Sequence, residues 1–456
     1  MSLAQPPKRF REAARAALAN ERIQGALDVA TSRLHENRLE AWAGLEDVEA
    51  LREQGREIRL GTLAGLDGHL DDFQRALEAR GGHVHRCADA AGASARIVEI
   101  CAAAGARLVA KSKSMATEEI GLNTALEEAG MEVVETDLGE WILQLAGEHP
   151  VHIVAPAIEK TAADVAELFS RVEGRPVSPE LSELTRVART RLREVFQNAD
   201  VGVTGANFAV AETGSICLVS NEGNARLVSS LPRVHVVLLG MERVVPTLAE
   251  LAVLLRLLAR SATGQPLSSY TTLVTGPRRA GEQDGPEELH VVVLDNGRSG
   301  LRGTRYEEML SCIRCGACLN VCPVYRKAGG GAYGPVYSGP MGAVLVPLLA
   351  GLERAPALPH ASSLCGACTD ACPVKIPLHD LLLDLRSDLA EGGIASRRER
   401  LGFTLWSLAW SSPRGYRLST ALARLGQPLA RLAGPGRVWA AGRALPRLSR
   451  RYRDSR

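Results

Sequence analysis

The sequence predicts an α/β domain, then a cysteine-bearing helical domain, then a basic helical C-terminal region. Three observations carry this. Short β-rich runs alternate with amphipathic helical stretches from about residue 56 to 300, and seven of the ten cysteines fall in two runs between 312 and 372. The last sixty residues hold 14 Arg against only Glu399 and Asp454. At 456 residues the chain exceeds one ordinary domain, which suits such a division.

Residues 1–55 read as an N-terminal helical segment, with apolar residues recurring at spacings of three and four among Arg and Glu. Residues 56–300 are read as the α/β domain, with its own core. Its strand candidates are RLVAKSK (107–113), MEVVETD (131–137), VHIVAPA (151–157), ADVGVTGANFAV (199–210), SICLVS (215–220), VHVVLLG (234–240), TTLVTG (271–276) and LHVVVLDNG (289–297). Between strands lie helix candidates such as TEEIGLNTALEEAG, where Glu118 and Glu119 suit a start and Gly130 an end. Alternation of this kind argues for a largely parallel sheet covered by helices on both faces.

Residues 301–385 carry the cysteines. Cys312, Cys315, Cys318 and Cys322 form C-x2-C-x2-C-x3-C-P, the bacterial ferredoxin run in which three thiolates hold one iron–sulfur cubane and the fourth ligates another. Structural zinc would be satisfied by four ligands and would leave the second run unexplained. That second run, SSLCGACTDACPVKIP, aligns from its C-P end with Cys365, Cys368 and Cys372 at the second to fourth positions and Ser362 at the first. If the last cysteines exchange, one set is Cys312, Cys315, Cys318 and Cys372, and the other is Cys322, Cys365 and Cys368. Two iron–sulfur clusters are expected. The first is [4Fe-4S]; the second is either [3Fe-4S] or [4Fe-4S] with a non-cysteine ligand such as Ser362, His360 or water. A serine before such a loop also commonly caps a turn.

Residues 386–456 form the basic helical region, of formal charge +12 over 397–456 against −10 for the remainder. Trp406 and Trp410 lie four apart, on one helical face, and need cover. SSPRG and AGPGR mark turns between short helices. The N-terminus has charges where a signal peptide needs an apolar core, and the longest apolar run, GAVLVPLLAGL, falls short of the ~20 residues of a membrane span. The expected setting is cytoplasmic, where clustered cysteines bind metal in preference to forming disulfides. Gly329, Gly331 and Gly334 match G-x-G-x-x-G formally, but no strand precedes them, so no dinucleotide site is read there.

Other candidates are weaker. Cys87, Cys101 and Cys217 are scattered singly and read as small buried hydrophobes. Gly205 and Gly214 in VTGANFAVAETGS would let backbone approach an anion, with Glu212 as acid, base or ligand, though tight strand connections explain them as well. LDNGRSG (294–300) is a second such stretch. Lys111 and Lys113 stand at the C-terminal end of a strand candidate, where parallel sheets hold ligands, or are edge charges.

The 42 residues between Cys322 and Cys365 resemble the helical insertion of the ferredoxin domains in succinate dehydrogenase iron–sulfur subunits and in glycolate oxidase and heterodisulfide reductase subunits. Together, KSKSMATEEIGLN, TGANFAVAETGSI, VVLLGMERVVPTL, LDNGRS, CIRCGACLNVCPVYRK, GGAYGPVYSGPMGAVL and SLCGACTDACPVKIPLHDLL resemble the lactate-utilisation protein B family, over roughly residues 20–440. The resemblance implies an α/β fold similar to ribose-5-phosphate isomerases and CoA transferases. It also implies an electron-transfer role beside two companion lactate-utilisation subunits in the oxidation of L-lactate to pyruvate. The electron acceptor is not evident, since no flavin or nicotinamide fingerprint is found. One alternative makes the α/β domain a transferase or ligase-like enzyme working through Glu212, with structural or sensing clusters. A redox-sensing regulator on nucleic acid is the other, but no DNA-reading motif accompanies the tail, so no nucleic acid is expected.

Overall fold

A computed structural model describes residues 10–334, 336–394 and 397–430. Residues 1–9 and the AGPGR turn of the basic tail lie outside the described residues. The chain divides into two units, Met1–Ser387 and Asp388–Arg456.

Among the described residues the first unit holds ten strands: β1 (His83–Cys87), β2 (Leu108–Lys111), β3 (Glu132–Glu135), β4 (Val201–Gly205), β5 (Phe208–Val210), β6 (Ser215–Ser220), β7 (Val234–Gly240), β8 (Val244–Val245), β9 (Tyr270–Val274) and β10 (Glu288–Leu294). Six form an all-parallel sheet in the order β1-β10-β7-β4-β2-β3. At its centre β7 is buried at every residue, His235 included, as a near-continuous apolar strand covered on both faces should be. The other four form a smaller mixed sheet, β8-β5-β6-β9. The stretch 199–210 therefore supplies two strands in different sheets, turning at Gly205–Asn207.

Two expectations are corrected. The helical start does not end at residue 55: the helix Val48–Ala64 runs through it, Leu66–Glu78 follows, and the first strand begins at His83. Leu51, Ile58, Leu63, Leu66, Leu70, Phe73 and Leu77 keep one apolar face through both helices. VHIVAPA is a loop, not a strand. Its groups are spent on docking: the Nε2 of buried His152 bonds the Oδ1 of Asn320 at 3.1 Å, while its Nδ1 accepts from the N–H groups of Val154 and Ala155 at 3.0 Å. The Val151 carbonyl accepts from the Tyr325 hydroxyl at 2.9 Å and the Ser338 hydroxyl at 3.0 Å. Burial, then the charge of Lys113, pulls His152 down to about 4, so the imidazole is neutral.

The α/β part has an apolar cluster of its own, from Ala93 to Leu294 around the parallel sheet, but shares another. The shared cluster runs from the helices Val48–Ala64 and Leu66–Glu78 through the smaller sheet and the helix Leu248–Ala262 into the cysteine-bearing region as far as Leu385. In the second unit, the helices Arg397–Trp410 and Pro413–Ala430 pack on each other, with Trp406 and Trp410 rings 5.5 Å apart and Trp410 5.1 Å from Tyr416. Leu401, Phe403, Leu405, Trp406, Leu408 and Trp410 are exposed. No helix among the described residues is long and apolar enough to cross a membrane.

Candidate metal centres and an adjoining cavity

The two cysteine runs fold as a structural repeat. Arg314 and Leu364, each just before the run's second cysteine position, take left-handed backbone at φ 60° and 56°. Gly316 and Gly366, just after it, sit at 77° and 81°. Two non-glycine residues held in this region mark an over-determined turn. It folds the loop back so that a one-turn helix follows: Ala317–Val321 carries Cys318 and ends at Cys322, and Ala367–Ala371 carries Cys368 and ends at Cys372. Backbone N–H groups then point at sulfur: Arg314 N donates to Cys312 Sγ at 3.4 Å, Tyr325 N to Cys322 Sγ at 3.5 Å and Ile376 N to Cys372 Sγ at 3.3 Å.

Cys312, Cys315, Cys318 and Cys372 line one cavity, walled by apolar groups including Ile313, Met341, Val374 and Ile376. Cys372 thus reaches the first run across sixty residues. Burial, and next the nearby Cys372, pushes the Cys315 thiol up to about 12; burial pushes Cys372 to about 11 and Cys318 well up. Such thiols give up their protons to a metal, not to water. Among the described residues no three His, Cys, Asp or Glu converge closely enough to hold a single metal ion. A ring of four sulfurs around an apolar cavity, with N–H donors to sulfur, fits the larger cubane.

Arginines surround this set. Arg59, fully buried, donates to the carbonyls of Leu310 (3.2 Å), Ser311 (3.3 Å) and Val244 (3.0 Å). Arg243 donates to Cys312 O at 2.7 Å, Arg52 to Cys372 O at 2.8 Å and Arg38 to Ala371 O at 3.2 Å. None of these was singled out in the sequence, because buried and solvated arginines look alike there. The only signal was the VVLLGMERVVPTL stretch, which contains Arg243.

The second set is more open. Cys322 and Cys368 are buried and Cys365 is exposed. Cys322 feels Cys365, and Cys368 feels both, so these three sulfurs are mutual neighbours. Ser362 Oγ accepts from Leu364 N at 3.1 Å, the bond that Cys312 Sγ makes with Arg314 N in the other run. Its hydroxyl therefore caps the turn from the position a cysteine sulfur would hold. His360 is exposed at the end of the turn Leu358–His360. Cys318 and Cys368, one from each set, sit on short helices that pack together.

A second cavity of about 430 Å³ lies at the carboxyl ends of β2, β4 and β7. Separate stretches of the chain meet in it, among them Ser112–Ala116, Gly205–Asn207, Arg298 and Arg314. Arg314 and Ile153 line this cavity and the first cysteine cavity alike. Behind Arg298 is a buried charge network. Its guanidinium grips Glu119 with two bonds of 2.9 and 2.8 Å and meets Glu242 at 2.8 Å, Glu242 meets Arg314 at 3.3 Å, and the Tyr337 hydroxyl donates to Glu119 at 2.7 Å.

The predicted lysines divide. Lys111 is buried and paired with Glu135 (2.6 Å) and Glu118 (3.0 Å), so it is no edge charge, whereas Lys113 faces the cavity. Gly205 lines the cavity; a side chain there would strike Ser114. Gly214 packs on the backbone of Leu77, and Glu212 is exposed, its Oε1 accepting from Leu248 N at 2.6 Å. Glu212 caps a helix and lies outside the cavity, which removes the residue on which a transferase reading rested. Cys101 and Cys217 are buried and pushed up to about 12 by burial; Cys87 is half-buried. Gly329, Gly331 and Gly334 follow the helix Tyr325–Ala328, not a strand.

Residues 70–294 match the LUD domain model and residues 308–376 the 4Fe-4S dicluster domain model. Proteins called Lactate utilization protein B from Bacillus thuringiensis (strain Al Hakam), Bacillus cereus (strain AH187) and Bacillus anthracis (strain CDC 684 / NRRL 3495) are each 47% identical, over 100% of this chain and 98% of theirs. Among solved structures, a DUF162 family protein from Deinococcus radiodurans is 17% identical, with a TM-score of 0.29, covering 50% of this chain and 98% of that one.

Proposed function

The chain belongs to the lactate utilization protein B family, and from that premise we propose that it is the iron–sulfur electron-transfer subunit of a cytoplasmic complex that oxidises L-lactate to pyruvate with two companion subunits. The observation that carries this is the meeting of Cys372 with Cys312, Cys315 and Cys318 around one cavity, within a region that matches a dicluster domain. The first cluster, [4Fe-4S], is held by these four cysteines. The second is held by Cys322, Cys365 and Cys368, with Ser362 or water at the last corner, or is a three-iron form. When bound, the clusters supply one-electron carriers.

The chain's own residues do the rest. Buried apolar walls exclude water from the first set, N–H donors and four arginines offset negative charge there, and the packing of the two short helices that carry Cys318 and Cys368 shortens the path between sets. Exposure of Cys365 supports an exit at that side. Kinship of the α/β part with ribose-5-phosphate isomerase and CoA transferase folds belongs to the same reading. The test is lactate-dependent dye reduction by the protein purified anaerobically with its companion subunits. Reduction should be lost in Cys318→Ala, and a complete set of subunits that reduces no dye with lactate would refute the reading.

A further inference from the structure

The 430 Å³ cavity has no part in electron transfer as proposed, yet it is built as a ligand site. Pockets of ~300–1,000 Å³ take ligands of cofactor size; a three-carbon acid would fill little of this one. It opens where parallel sheets bind ligands, off the carboxyl ends of the strands. Ala155, Ala206, Ala259 and Ala262 line it with small side chains, beside Leu218 and Leu258. Small apolar side chains leave room for a ring and give it apolar contact.

The other end is polar, with Lys113, Asp137 and Glu222 together. Lys113 is half-buried and makes no hydrogen bond or ion pair with a described residue. Asp137 Oδ1 accepts from Gly139 N (3.0 Å) and Glu140 N (3.2 Å), and Glu222 Oε2 from Leu138 N (3.3 Å); the other oxygen of each carboxylate is left over. Two carboxylates would repel a bare anion but accept hydrogen bonds from hydroxyl groups, as an acidic residue does for ribose in dinucleotide folds. An unpaired ammonium beside them suits a phosphate. A simple carboxylic acid would leave the carboxylates unexplained.

We propose that this cavity binds a mononucleotide-sized organic phosphate, its ring among the lining alanines, its sugar hydroxyls at Asp137 and Glu222, and its phosphate at Lys113. Arg314 and Ile153, which line this cavity and the first cysteine cavity alike, would then connect the ligand's site with that cysteine set. The experiment titrates full-length, cluster-loaded protein with flavin mononucleotide, read by fluorescence quenching, and with AMP as competitor. Saturable binding in the micromolar range is expected, weakened about tenfold by Lys113→Gln and abolished by Ala262→Phe, with wild-type iron content in both variants. Absence of saturable binding of either nucleotide up to about 1 mM, or binding indifferent to both substitutions, would overturn the proposal. So would Lys113-dependent binding of L-lactate without binding of either nucleotide, which would make the cavity a site for the acid.

Discussion

Changing Glu242 to Gln would remove the carboxylate that Arg298 and Arg314 share, at 2.8 and 3.3 Å. Burial works to raise the pKa of Glu242, but the charges of Arg298, Arg314 and Arg243 overcome it and hold the group at about 2, against an ordinary 4.5. By linkage, a depression of that size contributes about 3 kcal/mol at neutral pH. For the unit Met1–Ser387, an unfolding entropy of ~2 cal/mol/K per residue converts this to a melting point lower by about 4 °C. The folded pKa lies below the unfolded one, so the stabilisation is complete above about 4.5 and is lost as pH falls toward 2. The gap between wild type and variant should therefore be constant at neutral pH and close on acidification below 4.5. Differential scanning calorimetry on cluster-free and cluster-loaded protein measures it. The gap should be smaller with clusters bound, because their negative charge would face the guanidiniums that Glu242 no longer neutralises. Cluster-free melting points that coincide, or a gap that widens in acid, would refute the reasoning.

Cys372→Ala should cost about four irons per chain and the spectrum of the set built on Cys312, Cys315 and Cys318; loss of the other cluster alone would overturn the pairing. Air-oxidised wild type should show a three-iron electron paramagnetic resonance signal, which Ser362→Cys suppresses, since a corner held by hydroxyl or water is weaker than one held by thiolate. Two equivalent, air-stable four-iron clusters in the wild type would contradict that. Deleting residues 397–456 should reduce co-purification with the companion subunits before iron content changes, because the tail's apolar residues are exposed; unchanged yield would exclude a docking role.

The parallel sheet was readable because VHVVLLG and LHVVVLDNG each carry a near-continuous apolar run, interrupted by one histidine, of the kind a doubly covered strand requires. β1, with the sequence HVHRC, escaped notice because it is polar and borders the sheet, pairing only with β10. VHIVAPA misled for the opposite reason: its apolar alternation is real, but its hydrogen bonds go to Asn320, Tyr325 and Ser338, far along the chain. Cysteine spacing is a local property of one short loop and so is written in the sequence. Burial of Arg59, Arg243 and Arg298, at 0%, 5% and 1% exposure, is a property of long-range packing that no neighbouring residue announces.

The shared cavity of Cys312 and Cys372 also bears on the order of events at the ribosome. The first three cysteines leave the exit tunnel together, but in the proposed pairing the sulfur that would complete their set is synthesised sixty residues after Cys312, following the Gly-rich connection and most of the second run. A cubane delivered early would find an open corner. The second set has the complementary problem, since Cys322 must wait for Cys365 and Cys368. In the proposed pairing neither set would be complete before the second run is made, so the two metal loadings would fall close together in the life of the chain, as its last two cysteines emerge and the two short helices first meet.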